Sequence, residues 1–165
     1  MARGGRTLLA LVVSGIALLG FSPNASSSDL GGQLSLTAQE ENLVGAINRA
    51  RVARGVPPVR VGVRLRLAAR SHSRAMARTG AFDHGNWYRR LRSFGVRSPM
   101  VGENIAWGIG SDGTAAGIVA AWLASPPHRA TLLTRGFRRV GVGIAVGTMD
   151  GYAGARIATA DFGGS

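Results

Sequence analysis

The amino-acid sequence predicts an α+β fold in which helices pack on an antiparallel sheet. After residue 37, apolar residues recur at helical spacing through the first part of the chain. From residue 140 to 147, Val and Ile alternate with Gly and Ala, which is a strand pattern. The Asp150-Gly151 pair then offers a tight turn between two strands. Helices first and antiparallel strands last is the order typical of this class.

The N-terminal residues 1–28 have the pattern of a signal peptide. Arg3 and Arg6 precede an uncharged run over 7–21, and small residues follow at 25–28. The run is shorter than the ~20 residues that cross a bilayer, although an uncleaved anchor remains the alternative. We therefore expect a leader, a linker over 29–36 and one domain over 37–165, located outside the cytoplasm as a secreted protein, free or associated with the cell envelope.

The first two helices begin and end at recognisable signals. Thr37 and Glu40 form a capping box, which predicts a helix over 38–54. A Pro-Pro break separates it from a second helix over 63–79, which Gly80 ends. One side of this second helix is apolar and the other is basic, as in a helix that packs on a core.

The later elements follow in order. A third helix is predicted over 114–124, and Ser125 with Pro126 opens a short helix that ends near Arg135. The final strand is predicted over 152–162. The segment between Gly85 and Val101 is assigned no element, and its aromatic residues either line a cleft or pack under it, with core packing favoured: Trp87, Tyr88 and Phe94.

Composition narrows the possible chemistry. The 165-residue chain contains no cysteine, so it has no disulfide, no thiolate nucleophile and no cysteine-ligated metal. It contains three histidines and eight acidic residues against twenty basic ones, all of them arginine, for a net charge of +12. Any chemistry must therefore use histidines, carboxylates, hydroxyls or backbone groups.

The candidate site residues are His84, Glu103 and His128. Two histidines and a glutamate can hold zinc and leave a position open, although the short His-x-x-x-His spacing of many zinc sites is absent. We expect His84 and Glu103 in irregular segments. With Ser125 as N-cap, His128 is the third residue of its helix, where the helix dipole disfavours the protonated ring; a solvent-facing histidine is an equal alternative.

Other candidates favour structural roles. His72 lies on the apolar side of the second helix, which favours a hydrogen-bonded core histidine over a ligand. Ser125 near His128, and Ser71 or Ser73 beside His72, suggest nucleophiles. The capping role expected of the Ser125 hydroxyl and the absence of a Gly-x-Ser-x-Gly motif disfavour a serine hydrolase.

A row of arginines runs along the second helix at every fourth position. The simplest interpretation is the solvated face of an amphipathic helix, and the alternative is a surface for an anionic wall polymer or lipid. No aromatic residues alternate with the arginines, which disfavours nucleic acid as a partner. The row comprises Arg66, Arg70, Arg74 and Arg78.

These motifs together resemble the CAP superfamily, or SCP domain, in its short cysteine-free bacterial form. The family includes cysteine-rich secretory proteins, antigen 5 and plant pathogenesis-related proteins. The resemblance extends over 40–163 and is carried by the segments 48–51, 69–73, 82–84, 102–106, 125–129 and 161–163, together with Trp122 and the 141–143 segment.

The resemblance implies an α-β-α sandwich with a mainly antiparallel central sheet and a cleft where two histidines and two acidic residues meet. His84, Glu103 and His128 match three of those positions. The fourth is Ser125 where the family has Glu, so a four-residue site is incomplete here. Members of the family have been linked to lipid, sterol and divalent-metal binding and to occasional protease activity, and the fold alone fixes none of these.

Three hypotheses follow. The leading one is a secreted protein whose cleft holds zinc or another divalent cation through His84 and His128, with Glu103 as a third ligand or a hydrogen-bond partner of one. Its ligand would be a lipid, a sterol-like molecule or an anionic envelope component, with Asn104 and Ser125 as candidate contacts. The second is a weak hydrolase of peptides or esters, with Glu103, His84 and His128 as candidate catalytic residues. The third is a lipid-binding or adhesive module whose histidines are structural.

Overall fold

The computed structural model describes residues 35–165. The predicted signal peptide and most of the predicted linker lie outside the described residues, so these boundaries stay predictions. Within the described part of the chain, no helix is long and apolar enough to cross a membrane.

Within residues 35–165, five helices and four strands follow one another along the chain. In order they are α1 (Ala38–Val52), β1 (Arg60–Val61), α2 (Val63–Thr79), α3 (Trp87–Ser93), β2 (Met100–Gly108), α4 (Ala115–Ala124), α5 (Pro126–Leu132), β3 (Phe137–Met149) and β4 (Tyr152–Gly164). The α2 bounds are those predicted. The α1 capping box is present, with Thr37 accepting from the Glu40 amide and Glu40 from the Thr37 amide. Helix α5 ends at Leu132 and does not reach Arg135.

The four strands form one sheet in the order β1-β3-β4-β2. Strands β3 and β4 are joined through the Asp150-Gly151 turn and pair antiparallel, as do β2 and β4. The short β1 pairs parallel with β3. The sheet is therefore mixed and mainly antiparallel, and the fold is α+β as predicted.

Helix α2 lies directly on one face of the sheet because β3 presents glycines to it. A Cβ atom at Gly141 would lie 2.0 Å from the α2 backbone, and one at Gly143 would lie 2.4 Å from it. Ser73 Oγ donates to the Gly143 carbonyl at 2.9 Å and lies 2.9 Å from the Thr159 hydroxyl. The glycines that alternate along β3 therefore form the surface on which α2 packs.

The opposite face of the sheet carries the larger core. Val140 and Val142 are fully buried and point into a cluster built with α1 and α4. Trp122 of α4 is buried there, and its Nε1 donates to the Ile105 carbonyl of β2 at 2.9 Å. Helices on both faces make the α-β-α sandwich that the resemblance implied.

The arginine row of α2 is not a solvated face throughout, contrary to the prediction. Arg74 and Arg78 are exposed, but Arg66 and Arg70 are 2% and 7% exposed. Arg70 Nε donates to Glu40 Oε1 at 2.7 Å, and its Nη2 donates to Oε2 at 2.5 Å. Helix α1 supplies this carboxylate from a distant part of the chain, so the periodicity of α2 alone could not reveal the burial.

Candidate functional site

The three candidate residues converge from three different elements. His84 lies in the irregular segment after α2, Glu103 lies on β2, and His128 lies in the first turn of α5. The expectation of an irregular segment holds for His84 and is wrong for Glu103. Strand β2 is hard to recognise in the sequence. Its buried residues include the charged Glu103 and the amide Asn104, and they do not alternate with exposed ones as in an ordinary strand.

Glu103 is the buried centre of the cluster. Its side chain is 1% exposed, and its Oε1 accepts a 2.7 Å hydrogen bond from His84 Nδ1. Its Oε2 accepts from Arg90 Nη2. Both carboxylate oxygens are therefore engaged by N–H donors of other elements.

A second buried carboxylate completes the network. Asp161 is the cross-strand partner of Glu103 in the β2–β4 register, and Arg90 Nη2 donates to its Oδ1 at 3.1 Å. Burial raises the pKa of Asp161 well above its usual range, and the charge of Glu103 acts in the same direction while Arg90 opposes it. Arg90 therefore lies between two buried carboxyl groups, and burial favours the protonated form of one of them, Asp161.

The two histidine rings face each other at the surface. The His84 and His128 rings are stacked with centroids 6.1 Å apart and an interplanar angle of 26°. His84 is 45% exposed, so the pair is open to solvent. Burial and the neighbouring His84 lower the pKa of His128, which keeps its ring neutral to lower pH.

Ser125 occupies the predicted N-cap position of α5, but its hydroxyl does not cap the helix as expected. The hydroxyl instead lies 2.8 Å from His128 Nδ1. This contact fixes the orientation of the ring in the way that Glu103 fixes that of His84. The premise that capping occupies the Ser125 hydroxyl is therefore wrong.

The histidine pair has the chemistry to supply two protein ligands to a metal ion. Each Nδ1 has a partner, so the two Nε2 atoms are the nitrogens left for an ion. Both Glu103 oxygens are already engaged, which makes Glu103 a hydrogen-bond partner of a ligand in this arrangement. Within residues 35–165, no group of three or more His, Asp or Glu side chains is arranged to hold a metal. A tetrahedral ion here would take its remaining ligands from water or a bound molecule.

Asn104 lies underneath the site and does not line it. Its side chain is fully buried, and Nδ2 donates to the His128 carbonyl at 2.9 Å. Its Oδ1 is buried without a hydrogen-bond partner among the described residues. Asn104 therefore joins β2 to the first turn of α5 and fixes the backbone that carries His128.

His72 is hydrogen-bonded and largely buried, in accord with its predicted structural role. Its Nε2 donates to the Asp83 carbonyl at 3.0 Å, yet it also lies 3.9 Å from Glu103 Oε2. Burial, followed by the charge of Arg90, lowers the pKa of His72. The residue thus supports both the segment that carries His84 and the wall of the cluster.

Sequence reasoning missed Arg90 and Asp161. Arg90 belongs to α3, in the segment that received no assignment, where Asn86 caps the helix by accepting from the Arg89 amide. An asparagine before a seven-residue helical pattern was the signal available.

The three aromatic residues of this segment have different surroundings. Trp87 and Phe94 pack against a buried cluster, whereas Tyr88 is 50% exposed and stacks with Arg92.

Comparisons with known proteins identify the family. The model described as CAP, the cysteine-rich secretory protein family, matches residues 44–162. The uncharacterized protein YkwD of Bacillus subtilis is 33% identical over 114 residues, which are 66% of this chain and 43% of that protein. The chain therefore spans less than half the length of this curated relative.

Solved structures share the fold. An outer surface protein of Borrelia burgdorferi has a TM-score of 0.67 at 19% identity, over 79% of this chain and 95% of that one. An extracellular protein with an SCP domain from Bacillus anthracis has a TM-score of 0.59 at 23% identity, over 87% and 45%. A cysteine-rich secretory protein from Staphylococcus aureus has a TM-score of 0.61 at 17% identity, over 77% and 38%.

Proposed function

Because the chain belongs to the cysteine-rich secretory protein family, we propose that it is an extracellular binding protein that holds a divalent metal ion, zinc above all, through His84 and His128. The observation that carries this proposal is the stacked histidine pair at the surface, with centroids 6.1 Å apart. Each ring is held through Nδ1, by Glu103 in one case and by Ser125 in the other.

The buried carboxylate of Glu103 supports metal binding by the His84 and His128 pair. A histidine that donates its Nδ1 hydrogen to a carboxylate presents a more basic Nε2 to a metal, and its ring cannot rotate freely. His128 serves as a ligand in the tautomer whose Nδ1 donates to the Ser125 hydroxyl oxygen. Its lowered pKa reduces the competition from protons.

The bound ion would supply Lewis acidity and open coordination positions. Oxygen-bearing groups of an extracellular ligand, such as the headgroup of a lipid or another envelope component, would occupy those positions. The outer-surface and extracellular descriptions of similar structures support this location.

The test is a zinc titration of the purified protein by calorimetry at neutral pH. We expect one site per chain, and loss of binding in both His84→Ala and His128→Ala. His72→Gln is the matched control: the His72 ring nitrogen already donates to the Asp83 carbonyl, and a glutamine amide can make the same hydrogen bond and keep the segment that carries His84 in place, so zinc binding should be retained. Unaltered binding in the two alanine variants, with melting temperatures equal to wild type, would contradict the proposal.

A metal-assisted hydrolase is the second candidate, favoured by the exposure of His84 beside the open positions. Glu103 is poorly placed as a general base, because His84 and Arg90 engage both of its oxygens. This candidate predicts slow ester or peptide turnover that chelation and His128→Ala both abolish. Binding of a delipidated protein to amphiphiles that is indifferent to chelators would instead support a lipid-binding module without a metal.

A further inference from the structure

A basic groove runs where β1, β3 and the start of α2 meet. It consists of two cavities, of about 310 and 320 Å³, that share Arg139. Five arginines line it: Arg60, Arg64, Arg97, Arg138 and Arg139. Among the described residues, no acidic side chain lines either cavity, and none of these arginines is in the cluster around Glu103.

The arginines of the groove lie close together, and their like charges repel. Arg60 is the register partner of Arg139 across the β1–β3 pair, and like charges in that position repel. The charge of Arg138, together with burial as the larger cause, lowers the pKa of the buried Arg51 guanidinium. Within residues 35–165, none of the five groove arginines forms an ion pair. An external anion would relieve this repulsion.

Backbone contacts hold part of the groove in shape. Arg64 Nη1 donates to the Gly95 carbonyl at 2.8 Å, and Gly95 has a φ of 75°, which favours glycine. Arg138 Nη1 donates to the carbonyls of Arg135 and Phe137. Side chains that are already ordered lose less entropy when an anion binds.

We propose that this groove binds a linear polyanion built of phosphodiester units, such as a poly(glycerol phosphate) chain. Guanidinium groups match phosphate oxygens with paired hydrogen bonds, and five of them along two cavities suit a repeating anion better than a single phosphate. In the part of the chain that the structure describes, no aromatic residue lines the groove, which disfavours the stacking of bases there. This inference does not depend on the metal site.

The experiment measures binding of a fluorescent poly(glycerol phosphate) oligomer by anisotropy over a salt series. The double variant R60Q/R139Q should weaken binding at least tenfold and reduce the slope of log affinity against log salt by about 1.4, at roughly 0.7 per lost phosphate contact. The matched control R74Q/R78Q removes two exposed arginines of α2, so the net charge changes equally. It should weaken binding less than threefold.

Several results would overturn the proposal. Equal losses in the two double variants would mean that diffuse charge suffices, and a larger loss in R74Q/R78Q would move the site to α2. Competition by orthophosphate at equal phosphate concentration would indicate a single-anion site, and tighter binding of a DNA oligomer of equal charge would refute the choice of partner. R60Q/R139Q should melt no lower than wild type, since it relieves repulsion. If it does not fold, Arg97→Gln, which alters an exposed groove residue, must still weaken binding about threefold.

Discussion

The network around Arg90 predicts that variants of its two carboxylates are strongly non-additive. Burial favours the protonated, neutral form of the Asp161 carboxyl group. Asp161→Asn replaces it with a neutral amide, so the substitution should lower the free energy of unfolding by only about 1 kcal/mol. Glu103→Gln removes the main charged partner of Arg90 and of His84, and it should cost about 1.5–3 kcal/mol. In that variant Asp161 can ionise and take over as the counter-ion, because it already lies 3.1 Å from Arg90.

The double variant removes both possible counter-ions. A buried charge without a partner costs about 3–5 kcal/mol, and the 14% exposure of the Arg90 side chain places the cost at the lower end. Because each single variant keeps one counter-ion, this cost of about 3 kcal/mol arises only in the double variant, whose loss should exceed the sum of the single losses by about that amount. Adding Arg90→Met to the double variant removes the stranded charge and should recover most of that excess.

Urea unfolding at neutral pH, followed by tryptophan fluorescence, measures these free energies. Equal denaturant slopes in all variants would show that the unfolded reference is unchanged. Additivity within about 0.5 kcal/mol would refute the shared counter-ion. A loss in Asp161→Asn as large as that in Glu103→Gln would show that Asp161 is already ionised in the native protein.

Four further predictions follow from the fold and the site. Gly143→Ala should destabilise by more than about 2 kcal/mol, because its Cβ would lie 2.4 Å from the α2 backbone, whereas Gly45→Ala within α1 should stabilise by about 0.5–1 kcal/mol; melting curves decide both. The lowered pKa values of His72 and His128 mean that these two rings bind fewer protons in the folded protein than in the unfolded chain, whereas the raised pKa of Asp161 acts in the opposite direction. In the Asp161→Asn variant, which removes that opposing group, the stability from the two rings should be complete above the ordinary pKa of histidine and decrease as pH falls below it. Unfolding titrations of this variant at a series of pH values would contradict this if stability were flat there. Ser125→Ala should weaken zinc binding about tenfold by calorimetry while leaving the melting temperature unchanged, since the hydroxyl orients His128 from outside the metal; an unchanged affinity would exclude that role.

Local patterns predicted the helices best. The α2 bounds and the α1 capping box were predicted from signals within a few residues of each end, which is the range over which caps act. The alternation along β3 predicted the strand, but only the folded chain reveals that its glycines allow the α2 backbone to pack closely on it.

Features that depend on contacts between distant parts of the chain could not be predicted from the sequence. Burial of Arg70 requires Glu40 from α1, and the network of Glu103 requires Arg90 from α3 and Asp161 from β4. Strand β2 was missed because Glu103 and Asn104 interrupt its apolar pattern, and their hydrogen-bond partners come from other elements. The candidate residues themselves were identified from motifs, whereas their hydrogen-bond partners belong to the tertiary structure.

The most direct test of the metal site is to observe the histidine ring nitrogens by NMR during a zinc titration. We predict that His84 and His128 carry hydrogen on Nδ1, and that zinc shifts the Nε2 signals of both rings and leaves those of His72 in place. Zinc-induced shifts confined to His72, or the absence of any shift at saturating zinc in folded protein, would contradict it.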